Sequence, residues 1–150
     1  MELSTLLKQL AMELGRFDYV VQRNWENLPD TYEVDGHGDL DLFVSDLDRN
    51  EVDIVVRPYQ QYFPIDVRSP RDNYYPDRIN MLLLEARRQY NGFYIPNEIA
   101  FFWALYWHNM AHKDGDPYRK KLNQVFTMIN RPVQCIDKGV KYNDFNWTDK

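Results

Sequence analysis

The stretch Gly36-His37-Gly38-Asp39-Leu40-Asp41-Leu42-Phe43-Val44 decides how this chain is read. Leu40 to Val44 is an apolar run of the kind that fits a pleated, half-buried surface, so a strand is predicted there. Successive side chains of a strand point to opposite faces. Asp39 and Asp41 therefore project together, while Leu40 and Leu42 face the other way. Two adjacent carboxylates repel, and the repulsion raises one pKa. A hard divalent cation removes that conflict, and Mg²⁺ is typically held by one or two carboxylates plus substrate phosphates and water. Gly36 and Gly38 precede the pair, and glycines let backbone come close to a phosphate.

Working outward, a third carboxylate stands at Asp66, within Phe63-Pro64-Ile65-Asp66-Val67-Arg68. A strand is predicted over 63–67, with Pro64 at an edge or entry point. Aspartate is poorly favoured in mid-strand, so its presence there calls for a reason. If this strand lies beside the one bearing Asp39 and Asp41, three carboxylates converge as candidate catalytic and metal-binding groups. Two metals about 3.5–4 Å apart could then orient nucleotide phosphates and an attacking hydroxyl, with Asp66 as ligand or base. Asp53, in Val52-Asp53-Ile54, competes for the third position; Asp66 is preferred because it follows the intervening strand. The opposing reading is that an Asp-x-Asp pair on a strand is merely solvent-facing. Arg23, Arg68, Arg71 and Lys113 are candidate phosphate-binding groups alongside Gly36 and Gly38. Arg68 could equally pair with a nearby Asp, and Lys113 could complement the end of a helix.

The rest of the chain supplies a frame for this site. Leu3, Leu6, Leu7, Leu10, Ala11 and Leu14 recur at helical spacing, with Gly15 as a stop. A short strand is predicted over 18–22, a loop over 25–38 and a β-branched strand over 52–56. A helix is predicted over 78–89, ended by Gly92. A second, opened by Pro96-Asn97-Glu98 and running to about Lys113, is apolar nearly all round and therefore central. His108 and His112 stand four apart on it, a spacing open to a zinc pair but lacking an evident third ligand, so core or surface histidines are the preferred account. Tyr74 and Tyr75 either stack a base or sugar or pack against the fold. A last helix is predicted over 117–129 and a strand near 133–136. The expected fold is α+β: a small mixed sheet carrying the Asp-x-Asp strand, packed with an N-terminal helix and a C-terminal helical layer. One domain is expected across 1–150, with the sheet and site mainly in 16–70 and the helical layer in 78–130.

Composition narrows the function classes. The 150 residues carry a formal net charge of −5. A broad acidic balance argues against nucleic acid as a main partner, because phosphate backbones need a basic surface; a small phosphorylated ligand held by a few arginines is still allowed. Cys135 is the single cysteine, which fits a reducing compartment. No stretch approaches the 18 or so apolar residues of a membrane span, and Met1-Glu2-Leu3-Ser4 lacks the basic start of a signal peptide. A cytoplasmic location is expected.

The order helix, strand, loop, then Asp39-Leu40-Asp41-Leu42 on a strand and Asp66 on a later one resembles the DNA polymerase beta-type nucleotidyltransferase superfamily in minimal form, over roughly residues 3–70. The resemblance implies that Asp39, Asp41 and Asp66 bind Mg²⁺ or Mn²⁺. It also implies transfer of a nucleoside monophosphate from a nucleoside triphosphate to a hydroxyl acceptor. Such proteins usually have Gly-Ser or Gly-Gly at the end of the first strand; here Gln22-Arg23-Asn24 stands there. Arg23 offers charge where a backbone cradle is expected, and a catalytically silent binding or regulatory module is the alternative. Asp66-Val67-Arg68, Arg71 to Tyr75, and His108 to Lys113 with Tyr118 also resemble uncharacterised nucleotidyltransferase-like proteins, some near surface-polysaccharide genes. That likeness implies an acceptor related to sugars or glycans.

Overall fold

A twelve-residue helix is marginal by itself in water, so α1 (Leu3–Leu14) depends on what it buries. Leu6, Leu7, Leu10, Ala11 and Leu14 line its inner face, and each fully buried leucine contributes about 1.5–3 kcal/mol. In the computed structural model, which describes residues 2–23, 25, 26, 28, 29 and 39–112, that face packs into one apolar core with the sheet and the later helices. Gly15 closes the helix as expected.

The main sheet has three strands in the order β1 (Tyr19–Val21), β2 (Leu40–Val44), β3 (Ile65–Arg68). β1 runs antiparallel to β2, and β2 parallel to β3. The small mixed sheet is thus present. The connection between β2 and β3 corrects the expected strand over 52–56, which is instead the helix α2 (Arg49–Val56). Val52 and Val56 are buried one turn apart and Val55 packs beside them, while Ile54 is 62% exposed. Alternation over Val52, Ile54 and Val56 and their β-branching point to a strand, but the valines packed in the core, at 52, 55 and 56, are spaced i, i+3, i+4, which is helical. Asp53 meets Arg49 one turn back at 3.3 Å, an i,i+4 pair of the kind that supports a helix. A parallel pair needs a crossover, and α2 supplies it.

A second correction falls on the helix expected over 78–89. α3 spans Asp77–Glu85 and stops there. β4 (Arg87–Tyr90) and β5 (Phe93–Pro96) follow as an antiparallel hairpin. Asn91 and Gly92 form its two-residue loop with φ of 49° and 89°. Positive φ at both central positions is the turn that matches strand twist, and Asn-Gly is its strongest sequence signal. Gly92 therefore marks a hairpin rather than a helix end. Arg87 pins the hairpin to the first strand: its Nη1 donates to the carbonyls of Phe17 and Tyr19, each at 3.2 Å, and its guanidinium lies over the Tyr94 ring at 4.0 Å.

α4 (Glu98–His112) follows the expected bounds. Phe101, Phe102, Trp103, Leu105 and Tyr106 are all buried, as a helix apolar nearly all round requires. No described helix is long and apolar enough to cross a membrane. The expected elements at 117–129 and 133–136, with Gly36, Gly38, Lys113, Tyr118 and Cys135, lie outside the described residues.

A β-branched residue at the second turn position would be forced into left-handed backbone, at a cost of roughly 1–2 kcal/mol. Gly92→Val is expected to lower the unfolding free energy by that amount, read from urea melts as a lower midpoint at unchanged slope. Gly92→Asn is expected to lose less than half as much, since asparagine tolerates this region.

Candidate active site

The β2–β3 ladder fixes the carboxylates. Its register pairs Leu40 with Ile65, Asp41 with Asp66, Leu42 with Val67 and Phe43 with Arg68. Ladder partners share a face, and neighbouring strands lie about 4.8 Å apart, so Asp41 and Asp66 are neighbours on one side of the sheet. Asp39 lies two residues before Asp41, where the ladder is still held by the Leu40 N–H donating to the Pro64 carbonyl at 3.0 Å. Asp39 and Asp66 are exposed and Asp41 is half-buried. Asp53 stands on α2 and is bound by Arg49 instead.

Asp41 is the electrostatic centre of this face. Its carboxyl pKa is pushed up to about 6, first by burial and then by the negative charges of Asp66 and Asp39; Arg23 and Arg68 oppose the rise. Arg23 is the nearer partner, with Nε 3.5 Å from Asp41 Oδ2. That is long for a charge-assisted hydrogen bond, which is shorter than about 2.9 Å when well made. Burial therefore prevails over the ion pair.

The donor set suits one kind of metal. Among the described residues, no three His, Cys, Asp or Glu side chains form a ready-made cage. The face offers hard carboxylate oxygens only, two of them on adjacent strands. That fits Mg²⁺ or Mn²⁺ arriving with phosphates and water, which supply the remaining ligands, and it does not fit a closed structural site.

Beneath the carboxylates runs a buried polar layer. Gln22 continues β1 one step beyond the Val21–Leu42 pair, and its N–H donates to the Asp41 carbonyl at 2.8 Å. Its side-chain amide donates to the Leu42 carbonyl at 3.1 Å and accepts from the Tyr75 hydroxyl at 2.5 Å. Arg23 Nη1 donates to the same hydroxyl at 3.3 Å. Burial pushes the Tyr75 phenol up to about 12, so it stays a neutral donor. Its ring meets Phe43 edge-on at 5.6 Å. Tyr74 hydrogen-bonds His108 Nδ1 and lies under the Arg68 guanidinium at 4.1 Å. Trp107 Nε1 donates to the Tyr74 carbonyl at 2.6 Å.

These contacts sort the expected residues. Arg23 comes within ion-pair distance of Asp41, and Arg68 acts on Asp41 through its charge. Arg71 does not: it is exposed, and its N–H donates to Asp46 Oδ1 at 3.0 Å beyond the far end of β2. The reason is local, since the turn at Pro70–Asp72 is closed by a Ser69–Asp72 capping box and held by Arg49 on Asp72 at 2.6 Å. Tyr75 packs against the fold, and buried His108 is a core histidine on its tyrosine. Sequence reasoning missed Gln22 and Tyr75 as anchors. The legible signal was a polar Gln22 closing the apolar run Tyr19-Val20-Val21.

Comparison with protein-family models, curated proteins and solved structures finds no match to this chain.

The shifted Asp41 carboxyl has a signed consequence. Between the ordinary carboxyl value near 3.8 and about 6, the folded chain keeps a proton that the unfolded chain releases. Metal-free stability therefore falls as pH rises through that window. At about 1.4 kcal/mol per pH unit, the loss is roughly 2–3 kcal/mol. Thermal melts from pH 3 to 8 are expected to show the fall in the wild type and not in Asp41→Asn. Parallel curves for the two proteins would count against it.

Proposed function

We propose that this chain is a metal-dependent nucleotidyltransferase, moving a nucleoside monophosphate from a triphosphate to a small hydroxyl acceptor related to sugars or glycans. The observation that carries the reading is the parallel register in which Asp66 is the ladder partner of Asp41. It sets side by side two carboxylates that the chain holds 25 residues apart, with Asp39 one residue before β2. A structural role explains the arrangement less well, because like charges side by side destabilise a sheet, and Arg23 and Arg68 only partly offset them: the Asp41 carboxyl stays raised.

Mg²⁺, or Mn²⁺ in its place, would neutralise the carboxylates and the triphosphate when bound. Asp39 and Asp41 would hold it. Asp66, exposed at the rim, takes the proton of the acceptor hydroxyl as its oxygen attacks the α-phosphorus in line. The bond from that phosphorus to the bridging oxygen breaks, and pyrophosphate leaves. Arg68, braced on the Tyr74 ring, offers fixed positive charge to the phosphoryl oxygens, where charge develops in the transition state.

One observation favours a second reading, a silent binding or regulatory module. Where a glycine pair would cradle phosphate by its backbone, Gln22 and Arg23 are tied down by Tyr75. The two readings differ in product. Calorimetry with Mg²⁺ and each nucleoside triphosphate is expected to detect binding that Asp39→Asn abolishes. Pyrophosphate release is expected with a suitable acceptor and to drop about 10²-fold or more in Asp66→Asn. Binding without release in any acceptor screen would favour the silent module. No binding of any triphosphate, with Asp39→Asn behaving as wild type, would sink the transferase reading.

A further inference from the structure

We infer that Arg23 is the resident cation of the carboxylate face: it holds Asp41 until a divalent metal ion arrives, and then turns its guanidinium to the anion that comes with the metal. Metal and anion would therefore bind with positive coupling. This rests on the carboxylate reading above and adds a control built into that site.

The geometry is that of a displaceable partner. Arg23 is only 7% exposed and Asp41 14%. A guanidinium so deeply placed needs acceptors for five N–H groups. Its Nε faces Asp41 at 3.5 Å, within ion-pair reach but short of a well-made charge-assisted bond. The other end of the fork is fastened to Tyr75, and Tyr75 is in turn fastened to Gln22. Arg23 is thus anchored through the neutral hydroxyls of Tyr75 and Tyr74 and only loosely engaged with the carboxylate. A metal ion on Asp41 would take that carboxylate's charge and repel the guanidinium beside it. A phosphate oxygen pair suits the freed fork better than one aspartate oxygen does, because the planar donors match it in two parallel bonds. The same residue that obstructs metal alone would then favour metal together with an anion.

By linkage, the coupling must be equal in both directions. The probes are Mn²⁺ alone and inorganic phosphate, which binds free Mn²⁺ only weakly. Bound Mn²⁺ is followed by its electron-spin resonance. In the wild type, saturating phosphate is expected to tighten Mn²⁺ about fivefold or more, the lower end of typical coupling. In Arg23→Gln, Mn²⁺ alone is expected to bind several-fold tighter than in wild type, and phosphate to tighten it several-fold less than it does in wild type, leaving only the coupling that metal–phosphate ligation supplies. Unchanged or weaker Mn²⁺ binding in Arg23→Gln, with normal binding in the wild type, would make Arg23 a structural strut and leave the carboxylate site standing. Absence of Mn²⁺ binding in every variant, the wild type included, would remove the site and this inference with it. Should Arg23→Gln not fold, Arg23→Lys decides. Phosphate coupling that Arg23→Lys reduces supports the inference, and coupling that is absent from the wild type or unaltered in Arg23→Lys overturns it.

Discussion

Parallel strands cannot be joined by a tight turn, so the chain must travel the length of the sheet between β2 and β3. α2 makes that journey, and its Val52 and Val56 anchor it in the core. The register it leaves behind sets Asp41 beside Asp66 and Phe43 beside Arg68. A slip of one residue would turn every side chain of β3 to the opposite face. Asp66 would then point among the apolar residues, and Ile65 and Val67 toward the carboxylates. The burial of Ile65 at 5% exposure holds the register against that slip. An apolar requirement on one face thereby places charge on the other.

The charged face is tolerable because two arginines come to it from different directions. Arg23 arrives from the end of β1 and Arg68 from β3, and both bear on Asp41's ionisation. Each is braced by a tyrosine of the adjacent pair, Tyr75 for Arg23 and Tyr74 for Arg68. That pair sits between the sheet and α4, through Phe43 on one side and His108 on the other. The aromatic helix is therefore more than ballast. It fixes the tyrosines, the tyrosines fix the arginines, and the arginines set the electrostatics around Asp41. Removing one partner of a buried ion pair generally costs more than the pair itself contributes, because the other charge is left stranded.

Much of the frame was legible because its signals are local. The leucine spacing of α1, the apolar run of β2 and the aromatic run of α4 each report burial of one face or of all faces, and burial follows from side-chain periodicity. The misreadings have equally local causes. Val52, Ile54 and Val56 satisfied a strand by alternation and type, while the spacing of the valines at 52, 55 and 56 asked for a helix. Asn91-Gly92 is a hairpin signal, yet the helical pattern ahead of it suggested a helix stop. What ends α3 early is Arg87 bonding to the carbonyls of Phe17 and Tyr19, about 70 residues upstream, a contact no local window contains.

The sequence by itself determined that Asp41 faces away from Leu40 and Leu42, because strand alternation is a property of consecutive residues. It also offered Asp66 as a companion to Asp41 on grounds of an aspartate placed where propensity disfavours one. Only the tertiary structure decided which groups stand around them. Asp66 joins Asp41 because α2 returns the chain in one register. Arg23 engages Asp41 because Gln22 and Tyr75 hold the end of β1 against β2. Arg71 is carried away because its turn is tied to Arg49 and Asp46. Pairwise distances between residues far apart in the chain depend on how whole elements pack, and that information is shared among the elements rather than written in any one of them.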